Sequence, residues 1–293
     1  MLNYKLVLIS LALIFFAGCS QSGTYTIENY VLTQDFLNEI ALGNVDGAYV
    51  IHKFGANDGI GTTIEPVTIS GNYRTPTSAT SLEVLSDNVN DNVAGTGARV
   101  LRIYGLNATG HEIYVDVNLS GITPVNLSKD FLRVYRWYVL ESGSYADQST
   151  PSQFGTITLR ESGGGQTWSN LNVIGGGFGV GQSEIGVYTI PKGNTCWLLK
   201  KVMSVNSNKY ANIYFFKREN ITDTTSPYSA MRLVEKHIGV TSVAALESRS
   251  AIDKFKELTD VGFMANTDTG SAEVSVEFEM VCLDNTIFNI TYT

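Results

Sequence analysis

Residues 98–119 read ARVLRIYGLNATGHEIYVDVNL. In the second half, Ile113, Val115, Val117 and Leu119 fall on one face and Glu112, Tyr114, Asp116 and Asn118 on the other, the period of two that marks a half-buried strand. The first half, 98–106, is another strand-like run, and the Asn107-Ala108-Thr109-Gly110 link offers Asn and Gly for the left-handed positions of a tight loop. The stretch therefore predicts an antiparallel hairpin, and the neighbouring sequence repeats its logic.

Further strands are expected at 46–54, 64–70, 131–140, 154–160, 185–190, 195–205, 210–218, 257–265 and 271–283, most of them separated by turn signals. Without long helical runs between them, these strands argue for an all-β fold built of antiparallel β-sandwich or jelly-roll lobes, not a parallel α/β sheet. One short helix is expected near the N-terminal end, with Thr33 as N-cap, Asp35 in the first turn, an apolar stripe of Phe36, Leu37, Ile40 and Ala41, and Gly43 as the stop. Segment 219–256 is harder to place: 217–229 reads as a loop and SVAALESRSAIDKFKEL, 242–258, as a short helix. The polar, apolar-poor run 141–152 marks a boundary, giving an N-terminal β lobe at 34–149 and a C-terminal β-sandwich lobe at 150–293.

The composition agrees with a packed scaffold. Of 293 residues 43% are hydrophobic and only 16% charged, and the net charge of −8 argues against a nucleic-acid partner that would need a basic face. Chemistry-bearing motifs are nearly absent. Gly175, Gly176, Gly177, Gly179 and Gly181 lack the strand-loop-helix setting of a phosphate cradle and read as a loop. The oxygen-rich run Ser86–Asn92 lacks the glycine and distant glutamate of a helix-loop-helix calcium site, so Asx turns explain it. His52, His111 and His237 sit in no metal or triad pattern, and Glu273, Glu277 and Glu279 form a solvated strand face, not an acid/base pair. No catalytic residue, metal ligand or cofactor is assigned. In FLRVYRWYVL, Tyr135, Trp137 and Tyr138 are interface aromatics or buried sandwich residues before they are a sugar-stacking platform.

Residues 1–18 form an apolar segment like a signal peptide, with Lys5 ahead of the run Leu6–Ala17, too short for a membrane span, and 19–33 a polar tether. The small residues before Cys19 resemble a bacterial lipobox, with Phe16 in place of the more usual Leu, which makes Cys19 a lipidation candidate. An exported chain could pair the remaining Cys196 and Cys282, but the alternation around Cys282 reads it first as a small buried apolar residue.

From residue 35 onward the chain resembles a family of virion structural proteins of tailed bacteriophages. The matching stretches are DFLNEIALGNVDG (35–47), IHKFGAN (51–57), NDNVAGTGARVLRIYGLNATGHEI (90–113), VNLSGITPV (117–125) and FLRVYRWYVLESGS (131–144). They resume at GQSEIGVYTIPKGNTCWLLKKVMSV (181–205) and AEVSVEFEMVCLDN (272–285). The resemblance implies a non-enzymatic capsid decoration or fibre-like protein in the virion, a homo-oligomer with a trimer favoured, and partners such as the major capsid protein. The lipobox-like N-terminus departs from that family. It implies the alternative of an outer-membrane-anchored lipoprotein acting in adhesion or phage exclusion, with a membrane as partner only if Cys19 is lipidated.

Overall fold

The computed structural model describes residues 34–247 and 253–290. The chain forms α1 (Gln34–Ala41), then β1 (Ala48–Ile60), β2 (Glu65–Pro66), β3 (Leu82–Ser86), β4 (Ala98–Leu106), β5 (Glu112–Asn118), β6 (Val125–Asn126) and β7 (Arg133–Ser142). There follow β8 (Ile157–Glu161), β9 (Thr167–Leu171), β10 (Val173–Ile174), β11 (Phe178–Gly179), β12 (Val187–Thr189) and β13 (Asn194–Val205). The last are β14 (Ala211–Arg218), β15 (Met231–Val240), β16 (Ala244–Glu247), β17 (Lys254–Phe255), β18 (Asp260–Asn266) and β19 (Ala272–Asp284). The fold is all-β with antiparallel pairing throughout the named ladders.

The described residues form four larger sheets and the two-stranded β10-β11 hairpin. Sheet I has the order β1-β19-β13-β16 with β17 also on β13, and sheet II has β12-β18-β14-β15 with β2 beside β18. Sheet III is β6-β3-β8-β9, and sheet IV, β5-β4-β7, contains the hairpin of residues 98–119 in the expected phase, with Tyr104 opposite Tyr114. Pairing crosses residue 150 in both directions: β1 pairs with β19, and β8 pairs with β3.

Sheets I and II pack on an aromatic core where Phe215 lies 4.9 Å from Phe263 and 6.2 Å from Phe278, ring centre to ring centre. A second core joins sheets III and IV to the opposite face of sheet II, through Ile185, Val187, Phe216 and Met264. Sheet II is thus a middle layer. Its strand β18 is buried from Asp260 to Ala265, so it reads as a continuous run where the outer strands alternate.

α1 ends as the sequence predicts. The Gly43 N–H donates to the Ile40 carbonyl and the Asn44 N–H to Glu39, with Gly43 at φ +76°, a left-handed stop that glycine adopts without strain. Thr33, the expected N-cap, lies outside the described residues, as do residues 1–32. Phe36 and Ile40 cover Val281, Leu283 and Phe288, which explains why the end of β19 is buried on both faces although its first half alternates.

The helix expected over 242–258 is corrected where the structure describes it: Ala244–Glu247 is strand β16 and Lys254–Phe255 is strand β17, both on β13, while 248–252 lie outside the described residues. The open edge of β13 offers ladder hydrogen bonds that a short helix of modest propensity does not match. Met231–Val240, where no strand is expected, pairs along β14. Among the described residues no helix is long and apolar enough to cross a membrane.

Candidate binding pocket

A concavity of about 770 Å³ lies between β1 of sheet I and β7 of sheet IV. Two backbone features create it. A Cβ on Gly55 would stand 2.1 Å from the Gly186 nitrogen, so β1 and the chain entering β12 touch main chain to main chain, which only glycine permits. On β7, Tyr104 faces Arg136 while Gly105 faces Val134, leaving Tyr135 as the extra residue of a β-bulge. A bulge re-aims its side chain and frees a peptide group from the ladder.

Both consequences are visible. The Tyr135 ring meets Tyr188 edge-on at 4.9 Å, and its hydroxyl donates to the Glu112 carboxylate. Its carbonyl accepts a hydrogen bond from the Lys53 ammonium, two residues before Gly55 on β1. Lys53 is only 6% exposed. Burial, with the charge of Arg136 as a second cause, pulls its pKa down to about 7. Burial also pushes Tyr49 up to about 12 and holds Tyr135 and Tyr188 well above the ordinary phenol range, so these hydroxyls stay protonated and able to donate. At the rim, His52 lies 3.7 Å from Glu277.

The pocket opens onto the outer face of sheet IV, where strand register lines up tyrosine and arginine. Tyr104 and Tyr138 stack at 6.2 Å, Arg136 lies 5.4 Å from the Tyr138 ring centre and Arg102 4.8 Å from Tyr114. Arg102 grips Asp116 with two hydrogen bonds of 2.7 Å each, which hold the Asp116 carboxyl below its usual range. Tyr and Arg on an open sheet face are the residue types that dominate recognition surfaces.

The residues singled out by sequence are divided by the fold. Tyr135 lines the pocket and Tyr138 its mouth, but Trp137 is fully buried, its indole N–H donating to Ser169 Oγ at 3.0 Å, so it faces no interface. Cys196 and Cys282 stand directly opposite across β13 and β19, buried, and are joined by a disulfide. Cys19 lies outside the described residues. In the run Ser86–Asn92 the oxygens serve the backbone: the buried Asp91 carboxylate accepts from the N–H groups of Ala98, Phe154 and Gly155 and from Ser86 Oγ, at 2.6 to 3.0 Å. Gly176 and Gly177 turn the hairpin between β10 and β11, with φ of +83° and +84°. Among the described residues no group of three or more His, Cys, Asp or Glu is placed to hold a metal ion.

Lys53, Arg136, Glu112 and the other pocket tyrosines are not singled out by sequence. One signal exists: Lys53 occupies the same strand phase as Tyr49, Ile51 and Gly55, an inward position where a cation is out of place.

No protein-family model and no characterised protein matches the sequence. Among solved structures, that of infectious bursal disease virus Gx strain aligns at 9% identity over 81% of this chain and 72% of its own, with a TM-score of 0.22. The crystal structure of the VP2 subviral particle of that virus aligns at 9% identity over 85% and 82%, TM-score 0.16, and the T13 viral particle at 9% over 85% and 78%, TM-score 0.17. TM-scores of this size define no common topology.

Proposed function

We propose that this chain is a non-enzymatic structural component of a bacteriophage virion, a capsid decoration or fibre-like protein that acts through subunit contacts as a homo-oligomer, trimer favoured, beside partners such as the major capsid protein. The observation that carries the contact role is β15. It pairs with β14 on one side, and among the described residues no strand pairs with its other edge. Along it Met231, Leu233 and Ile238 are 54%, 43% and 66% exposed, and Val243 follows in the next turn. The ten-residue edge interleaves these exposed apolar side chains with Arg232, Glu235, Lys236 and His237, so a chain that pairs there meets apolar surface and charges of both signs. The resemblance over 35–285 supplies the particle context.

Light scattering of the purified chain tests the contact role. A multiple of the chain mass is expected, falling to the monomer mass when Leu233 and Ile238 are both changed to Lys. A monomer at all concentrations tested would refute it.

One observation favours a second reading, an outer-membrane lipoprotein anchored at Cys19 and acting in adhesion or phage exclusion. A disulfide such as Cys196–Cys282 persists in oxidising compartments and is rare in the cytosol where virions assemble.

A further inference from the structure

We infer that the pocket between β1 and β7 binds an acidic sugar, seating its carboxylate between Lys53 and Arg136 and its ring against the tyrosines at the mouth. The inference goes beyond the structural role and holds whether the chain sits in a particle or on a membrane.

The first ground is an incomplete charge balance. Two lysines are buried to the same degree, Lys53 and Lys201, each 6% exposed. Lys201 has the Glu235 carboxylate as its partner across the sandwich. Lys53 has a carbonyl and a ring, the Tyr135 carbonyl and the Tyr135 aromatic face at 5.8 Å, and no carboxylate within ion-pair distance among the described residues. Buried cations are ordinarily paired. Arg136 beside it is exposed and stacked over Tyr138, also without a carboxylate in ion-pair distance among the described residues, and its charge acts unfavourably on Lys53. An anion between the two relieves both the repulsion and the burial cost, and restores the lysine charge that burial depletes near neutral pH.

The second ground selects the kind of anion. The same walls carry Glu112, Glu277 and Gln182. Two carboxylates repel a dianion such as phosphate but accept hydrogen bonds from hydroxyl groups. The Tyr104 and Tyr138 rings, 6.2 Å apart and inclined by 26° to each other, both line the mouth, and aromatic rings suit the C–H face of a sugar. One negative charge, several hydroxyls and an apolar ring face describe a sugar acid. The volume is within the ~300–1,000 Å³ typical of small-ligand pockets.

Titration calorimetry of the full chain with glucuronic acid and N-acetylneuraminic acid, against glucose, acetate and inorganic phosphate, tests the proposal. At least one acidic sugar is expected to bind, with each of the three comparison ligands weaker by about tenfold or more, the scale of one charge-assisted hydrogen bond. Lys53→Met and Arg136→Ala are each expected to lose about tenfold or more in affinity. Lys53→Met is also expected to raise the melting temperature, which separates loss of a ligand contact from loss of fold. Arg136→Ala, at an exposed position, keeps the fold and serves as the independent variant. Acidic sugars binding no tighter than glucose, acetate or phosphate matching them, or affinity that survives both substitutions would overturn it.

Discussion

Lys53 gives the fold a pH dependence that can be worked out in sign. Its pKa falls from the ordinary 10.5 to about 7 on folding, so between those values the unfolded chain holds more protons than the native one. Stability must therefore rise as pH rises from 7 toward 9. The buried phenols of Tyr135 and Tyr188 act oppositely: raised in the fold, they contribute stability that is lost once pH passes about 10, where tyrosine ionises in the unfolded chain. Urea midpoints across this range are expected to peak between the two limits, and Lys53→Met is expected to flatten the lower limb. A wild-type profile with no rise above pH 7 would contradict the burial of an unpaired ammonium. At this scale the sequence was partly legible. Lysine in the inward phase of β1 is a visible anomaly, but the bulge that turns Tyr135 toward it depends on the pairing of β7 with β4, which no local pattern encodes.

Elements were the most legible level wherever one face meets water. β5 and β19 alternate and follow their expected ranges closely, and α1 carries its own glycine stop. Where tertiary partners decide, the pattern misleads. Ala244–Glu247 has residues content in a helix and becomes a strand because Lys200–Met203 present an unfilled edge. β3, buried at four of its five positions, lacks the alternation that would announce it. The Cys196–Cys282 link ties β13 to β19 across a sequence separation of 86 residues. On a chain-entropy estimate, closing a loop of that length contributes about 4 to 5 kcal/mol by restricting the unfolded chain. Reduction under native conditions, followed by urea unfolding, is expected to lower the midpoint markedly, and an unchanged midpoint would show that the link adds nothing to the fold.

Across the whole molecule, the middle position of sheet II explains how the two cores act as one. Arg133 of β7, fully buried, reaches Asp260 of β18 at 3.1 Å, and Asp260 also accepts from Thr189 Oγ1 at 2.5 Å, while the Tyr73 hydroxyl meets Thr189 at 2.6 Å. This chain of polar groups spans the boundary between sheets II and IV. Asp260→Asn is expected to cost about 3 to 5 kcal/mol because Arg133 is left buried without its counter-charge, and the double change with Arg133→Met is expected to cost less than the sum. Strictly additive costs in a double-mutant cycle would show that the pair is not coupled. None of this layering could be read from residues 141–152, whose composition marks a break although the ladders on either side of it interleave.

The role proposed for the chain is that of a docking surface within a particle. Quantitative mass spectrometry of density-banded virions from a producing host tests it most directly, counting copies relative to the major capsid protein and reading the state of Cys19 in the same sample. A fixed copy ratio in the band and a Cys19 without lipid are expected. A chain absent from the band and recovered from the outer membrane with a diacylglyceryl Cys19 would contradict it.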